Sequence, residues 1–232
     1  MIQRLRVETH CHTIYSKDSL TSPEALLAAC QKKAIDRIII TDHNTIRGAV
    51  VAREIDPEKV IVGEEIMTTQ GEILAFFVKE EVPRGLTPLE TIQLLRTQDA
   101  FISVSHPFDS FRNGHWGIEY LSEIAPLVDA IETFNSRCLQ RSDNDKARAF
   151  AKDHGLLCTV GSDAHQPSEV GMSTLLISPF HNADGFRRAI RNAEFNMKLS
   201  SPWVHFLSRY ASWRKSTRKT TVSPNTSDVF SE

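Results

Sequence analysis

The sequence predicts an α/β fold in which a largely parallel sheet closes into a distorted β/α barrel. Two observations predict it. Short β-type runs alternate with helical patterns along the chain, and His and acidic residues recur just after those runs. Strand–helix alternation calls for parallel strands joined by right-handed crossovers. Roughly six to eight strands fit a barrel, with an open doubly wound sheet as the rival. There is no internal repeat and no glycine-rich phosphate loop.

The elements follow in order. Residues 5–9 alternate and end at His10. Residues 22–34 read as a helix: Ser22 caps it, Pro23 suits its first position, and Leu26, Leu27, Cys30 and Ala34 share a face. Residues 37–41 contain Ile38, Ile39 and Ile40, a buried-strand signature. Residues 60–62 form a strand leading into Gly63, and 72–78 another. Thr87, Pro88 and Glu90 make a capping box that opens a helix through Ile92, Leu94 and Leu95. Strands are expected at 101–105 and 128–134, then a helix at 143–154 ended by Gly155. A strand at 156–160, one at 173–177 and a short helix at 183–191 complete the domain. Beyond residue 212 the chain turns polar. The expected division is a domain over 1–211 and a disordered tail over 212–232, with Arg214, Lys215, Arg218 and Lys219 solvated.

Composition narrows the function classes. The chain has 232 residues, 41% apolar and 24% charged, which suits one large globular domain. A net charge of −2 excludes a general nucleic-acid coat protein, so no nucleic-acid partner is expected beyond a nucleotide substrate. No apolar run approaches the roughly 20 residues that cross a bilayer, and the N-terminus has no signal-peptide pattern. Cys11, Cys30, Cys138 and Cys158 are scattered and read as free buried thiols, which suits the cytoplasm.

The chemistry sits where strands end. His10 and His12 are two apart and share a face, with Asp18 in the next loop. Thr41-Asp42-His43-Asn44 follows the second strand, Gly63-Glu64-Glu65 the third, and Ser105-His106-Pro107 a later one. Gly161-Ser162-Asp163-Ala164-His165 again places Asp163 and His165 on one face. Barrel active sites gather at the C-terminal strand ends, so these segments aim at one pocket. Such a crowd of imidazoles and carboxylates would suffer repulsion and desolvation unless cations were bound. A His, Asp and Glu set without Cys suits Zn, Mn or Fe, and its size exceeds the needs of one ion. Metal-assisted hydrolysis follows. Glu64 should point away from Glu65. His115, His154, His181 and His205 read as surface or packing residues, and Trp116, Trp203 and Trp213 as packing. Lys17, Arg112 and His115 lie in loops on the expected active-site face.

These five segments, in this order over roughly residues 5–180, resemble the PHP (polymerase and histidinol phosphatase) family of metal-dependent phosphoesterases. The resemblance implies a distorted (β/α)7 barrel with a two- or three-metal centre. It implies that His10, His12, Glu65 and Asp163 hold a first metal. Glu65 and His106 would hold a second, and Asp18, His43 and His165 a third. Asp42 would orient a ligand rather than be one. The segment from Asp129 to Arg137 resembles one that lines the site, which makes Asn135 and Arg137 substrate-binding candidates beside Arg112. Asp163, His165 and Arg137 are the catalytic candidates. The chain departs from the family pattern at Glu8, where many members carry Asp. It also departs at Glu72 and near Gln140, where members often carry His ligands. Glu72 could substitute for one of them, and the second metal site is expected to be the weaker. The expected activity is hydrolysis of a small phosphorylated metabolite or nucleotide by a metal-activated water. The alternatives are a nucleic-acid-processing enzyme on the same barrel and a non-catalytic metal-binding scaffold.

Overall fold

The computed structural model describes residues 4–220, with side chains through Thr217. The strands are β1 (Leu5–Glu8), β2 (Arg37–Ile40), β3 (Val60–Met67), β4 (Glu72–Phe76), β5 (Phe101–Val104), β6 (Ala130–Asn135), β7 (Leu157–Gly161), β8 (Ser173–Ile177) and β9 (Glu194–Met197). The helices are α1 (Pro23–Lys32), α2 (Arg47–Ile55), α3 (Pro88–Thr97), α4 (Ile118–Ile124), α5 (Arg141–His154), α6 (Ala183–Ala189) and α7 (Val204–Thr220). The strands form one sheet in the order β7-β6-β5-β4-β3-β2-β1-β8-β9. The sheet curls into a nearly closed barrel. Past the strand ends, Cys11 bridges Ala164, and Thr9 Oγ1 donates to Val160 O at 2.7 Å, so β1 and β7 meet across the gap.

The expected parallel sheet is only partly realised. β1–β2–β3 and β5–β6–β7 are parallel, but β4 runs antiparallel to both its neighbours, as does β8. The reason is connection length. Only residues 68–71 separate β3 from β4, too few for a crossover helix but enough for a hairpin. In that turn Thr68 N and Oγ1 both donate to Gly71 O.

Two apolar layers follow from strand alternation. One set, including Ile38, Ile40, Val60, Val62, Ile102 and Ile131, packs against α1, α3 and α5. The other, including Ile39, Ile61, Leu74, Phe76, Phe101 and Val160, fills the interior, and Phe186 of α6 plugs one end. Phe186 meets Phe101 edge-on, with ring centroids 4.9 Å apart. The same alternation carries the interior face to the opposite end. Ile61 is inside, so Glu65 four residues on is inside as well; Leu74 is inside, and so is Glu72. Burying Phe and Ile at one end thus sets the carboxylates at the other.

The C-terminal boundary moves. Residues 212–220 continue α7 rather than beginning a disordered tail, and residues 221–232 lie outside the described residues. Trp116 is buried, but Trp203 and Trp213 are 72% and 61% exposed, so neither is a packing residue. The four cysteines are free, and three are buried. Among the described residues no helix is long and apolar enough to cross a membrane.

Candidate metal centre

The predicted ligands meet at the C-terminal strand ends. His10, His12 and Asp163 form one group, His12, His43 and His165 a second, and His43, Glu65 and Glu72 a third. His10 Nε2 and His12 Nε2 lie 3.1 Å apart. Glu65 Oε2 is 3.4 Å from each of them, and Asp163 Oδ1 is 3.6 and 3.2 Å away. His165 Nε2 stands 3.3 Å from Asp18 Oδ1, and His43 Nε2 3.5 Å from Asp18 Oδ2. His106 Nε2 lies 3.1 Å from Glu65 Oε1. All of these residues but Asp18 and His43 are fully or almost fully buried.

Each imidazole is held from behind. His10 Nδ1 pairs with Glu132 Oε1 at 2.9 Å, which directs Nε2 into the cluster. The other oxygen of Glu132 accepts from His106 N and Asn135 Nδ2, both at 3.0 Å. His12 Nδ1 meets Ser16 Oγ at 3.0 Å, and Ser16 Oγ donates to Asp42 Oδ1 at 2.6 Å. Ser16 Oγ also accepts from His43 N at 3.0 Å, so its one donor and two acceptor sites are all used. Asp42 therefore acts on His12 through Ser16, as a residue that orients a ligand. His165 Nδ1 donates to Asp163 O at 2.8 Å. Gly161 makes room for the supports: a Cβ there would lie 2.3 Å from Glu132 Oε1 and 2.5 Å from His10 Cβ. Asp163 sits at φ +51°, a left-handed conformation that Asp tolerates better than most residues, and strain of this kind clusters at functional sites.

The electrostatics call for positive charge. Burial disfavours a charged His10, but Glu132, Glu65 and Asp163 outweigh it and hold the imidazole well above its usual range. Burial, then His165 and His43, drive His12 the other way. Burial opposes ionisation of Glu65, Asp163 and Asp18, yet nearby imidazoles, and Arg112 for Asp163, hold all three below the usual carboxylate range. Even so, Glu65 Oε2, Asp163 Oδ1 and Asp18 Oδ1 are buried without a hydrogen-bond donor. Oxygens so placed, opposite imidazole nitrogens, fit divalent cations.

Several expectations change. Asn135 is fully buried and spends its amide on Glu132 Oε2 and Asp163 Oδ2, while its Oδ1 accepts from Arg137 N. It braces ligands and does not face a substrate. Arg137 is 4% exposed; it donates to Asp163 O, Val204 O and Ser208 Oγ, tying α7 to the site. Its Nη atoms thus brace α7, while its Nε has no hydrogen-bond partner and the residue also lines the cavity over the cluster. Glu72 is more than an accessory. Burial, then Glu65, raises its pKa, and its oxygens lie 3.7 Å from His43 Nδ1 and 3.6 Å from His106 Nε2. Glu132 was missed as an individual residue; its signal was a lone acid in strand β6, among Ala130, Ile131 and Phe134. Glu64 points away and accepts from Val82 N.

A cavity of about 650 Å³ opens over the cluster, within the usual range for small-ligand sites. Asp18, His43, Glu72 and His165 form its floor, and Lys17, Arg112, His205 and Arg209 line it as well. His205 thus reaches the cavity, against the expectation of a mere surface residue, and its Nε2 meets Arg137 O at 3.1 Å. His115 is an exposed loop residue whose Nδ1 meets Arg112 O, and His154 stacks on Phe150.

Known proteins resemble this chain in sequence and fold. A PHP domain model matches residues 8–127, and a PHP-associated model matches residues 141–195. The uncharacterized protein MJ0417 of Methanocaldococcus jannaschii is 35% identical over 177 residues, which is 75% of this chain and 71% of that protein. A two-domain Bacteroides vulgatus protein containing a predicted PHP-like metal-dependent phosphoesterase matches with TM-score 0.69 and 19% identity, over 90% of this chain and 70% of that one. The lesion-specific endonuclease PfuEndoQ of Pyrococcus furiosus matches with TM-score 0.55 and 14% identity, over 83% of this chain and 58% of that one. The last two similarities concern the fold alone. The PHP domain match covers more than half of the 232 residues and includes the ligands from His10 to His106, so the chain belongs to the PHP domain family.

Proposed function

We propose that this protein hydrolyses phosphate esters of small phosphorylated metabolites or nucleotides, using Zn, Mn or Fe ions held by the cluster. The observation that carries this reading is the set of three buried carboxylate oxygens without donors, turned toward imidazole nitrogens. Divalent cations in such sites polarise phosphoryl oxygens and acidify water, supplying a nucleophile near neutral pH. The side chains do the rest. Glu132, and Asp42 acting through Ser16, hold His10 and His12 in register. Arg112 reaches the cluster from the cavity and sets a fixed positive charge there, and Lys17 and Arg209 add charge at the mouth. Asp163 and His165 are the residues on which turnover depends.

The test is turnover of p-nitrophenyl phosphate and bis-p-nitrophenyl phosphate by metal-loaded protein. Asp163→Asn and His10→Ala should each lower kcat/KM about 100-fold or more with circular dichroism unchanged. Undiminished hydrolysis in both variants overturns the reading. One observation favours a nuclease as the second reading. Trp203, Phe206, Tyr210 and Trp213 of the α7 region are exposed, beside Arg209 at the cavity mouth, and bases stack on such rings. Faster cleavage of single-stranded oligonucleotides than of either nitrophenyl ester, lost in Trp213→Ala, would select it.

A further inference from the structure

The two oxygens of Glu65 have different surroundings. Oε2 makes no hydrogen bond and faces His43 Nδ1 at 3.0 Å and the Nε2 atoms of His10 and His12 at 3.4 Å. Oε1 accepts from Ser105 Oγ at 2.7 Å and lies 3.1 Å from His106 Nε2. The same division runs through the whole cluster. Of its carboxylate oxygens left without a donor, Glu65 Oε2 points toward His10, His12 and His43, Asp163 Oδ1 toward His10 and His12, and Asp18 Oδ1 toward His165. None belongs to the His106 side, where a further ion would sit between Glu65 and His106.

A guanidinium stands there. Arg112 Nη2 is 2.6 Å from Asp163 Oδ2, and Nη1 is 3.3 Å from His106 Nε2. The fork is braced from behind. Arg112 Nε donates to Asp109 Oδ2 at 3.1 Å, Arg112 N donates to Asp109 O at 3.0 Å, and Asp109 is buried. A fixed cation at this distance repels a divalent ion brought to the same ligands.

We propose that the centre is built for two ions and that the Arg112 guanidinium takes the place of a third beside His106. One ion lies among His10, His12, Glu65 and Asp163, and the other among Asp18, His43 and His165. This rests on the metal-dependent reading above and adds the count and the identity of the third positive charge. Removing Arg112 uncovers His106 Nε2 and Asp163 Oδ2, beside Glu65 Oε1 and Glu72, for an ion.

The experiment is equilibrium dialysis of metal-stripped protein against saturating Mn(II), with manganese per chain measured by elemental analysis and ester turnover on the same samples. The expected counts are two for the unaltered chain, three for Arg112→Met and two for His106→Ala. Three ions in the unaltered chain, two in a folded Arg112→Met, or a loss in His106→Ala overturns the proposal. If Arg112→Met does not fold, the unaltered chain and His106→Ala still decide it. Three ions with turnover intact refutes this proposal alone, whereas no ions and no turnover refutes the phosphoesterase reading itself.

Discussion

Ser16 shows how little side chain is needed to aim a buried imidazole. One hydroxyl fixes the His12 ring, anchors the His43 backbone and reaches the Asp42 carboxylate. Glu64 is a buried acid put to different use. Burial pushes its pKa up to about 8; Oε2 accepts from Val82 N, and Oε1 has no partner. Its folded pKa lies above the unfolded value, so its stabilising effect is full below about pH 4.5 and is lost as pH rises through about 8. Glu64→Gln should therefore match the unaltered chain in unfolding free energy at pH 5 and exceed it increasingly up to pH 8, by about 1–3 kcal/mol there, with Tm rising in step. Thermal melts of both proteins across that range check it; a difference that does not grow with pH contradicts the burial effect. The convergence of His10, His12, Asp163 and His165 was legible in the sequence because period-two spacing after a strand leaves few orientations for them. The supports were not. Glu132 and Asn135 act through contacts to His10, His106 and Asp163 from distant strands, which spacing along one strand does not encode.

At the scale of elements, local signals decided what could be read. Helix α3 was legible because Thr87 and Glu90 cap each other: Glu90 N donates to Thr87 Oγ1, and Glu90 Oε2 accepts from Thr87 N at 2.9 Å. Thr87→Ala should cost about 1 kcal/mol in urea unfolding and leave ester turnover unchanged. An unchanged midpoint would show the box to be idle. Helices α2 and α4 went unread because neither has a side-chain N-cap bond; Ile46 and Gly117 occupy those positions. Strand β9 is exposed along its whole length, so it carries no alternation. The antiparallel β4 was hidden for another reason: its residues read as a strand, but orientation depends on a turn too short to cross over.

At the scale of the whole molecule, apolar packing and site chemistry share one scaffold. The interior aromatic cluster around Phe76, Phe101 and Phe186 closes one end, and strand alternation places Glu65 and Glu72 at the other. Helix α7 then lies against the site, held by Arg137, by His205, and by Lys215 Nζ donating to Ile14 O and Ser16 O. That attachment is long-range in sequence, so the polar composition after residue 212 concealed it.

Arg137 grips Asp163 O with one nitrogen and α7 with another, so whatever steadies one end also steadies the other. Thermodynamic reciprocity then applies between events at opposite ends of a single side chain. If docked α7 favours cation uptake, cation uptake must favour docked α7 by the same factor. Trypsin should cut after Arg209 and Arg214 several-fold more slowly in Mn(II)-loaded protein than in stripped protein, as read by intact-mass spectrometry. Equal rates would show that Arg137 joins the two mechanically without linking them energetically. With the linkage, proteolytic vulnerability of the C-terminal helix becomes a gauge of the ionic state of the centre.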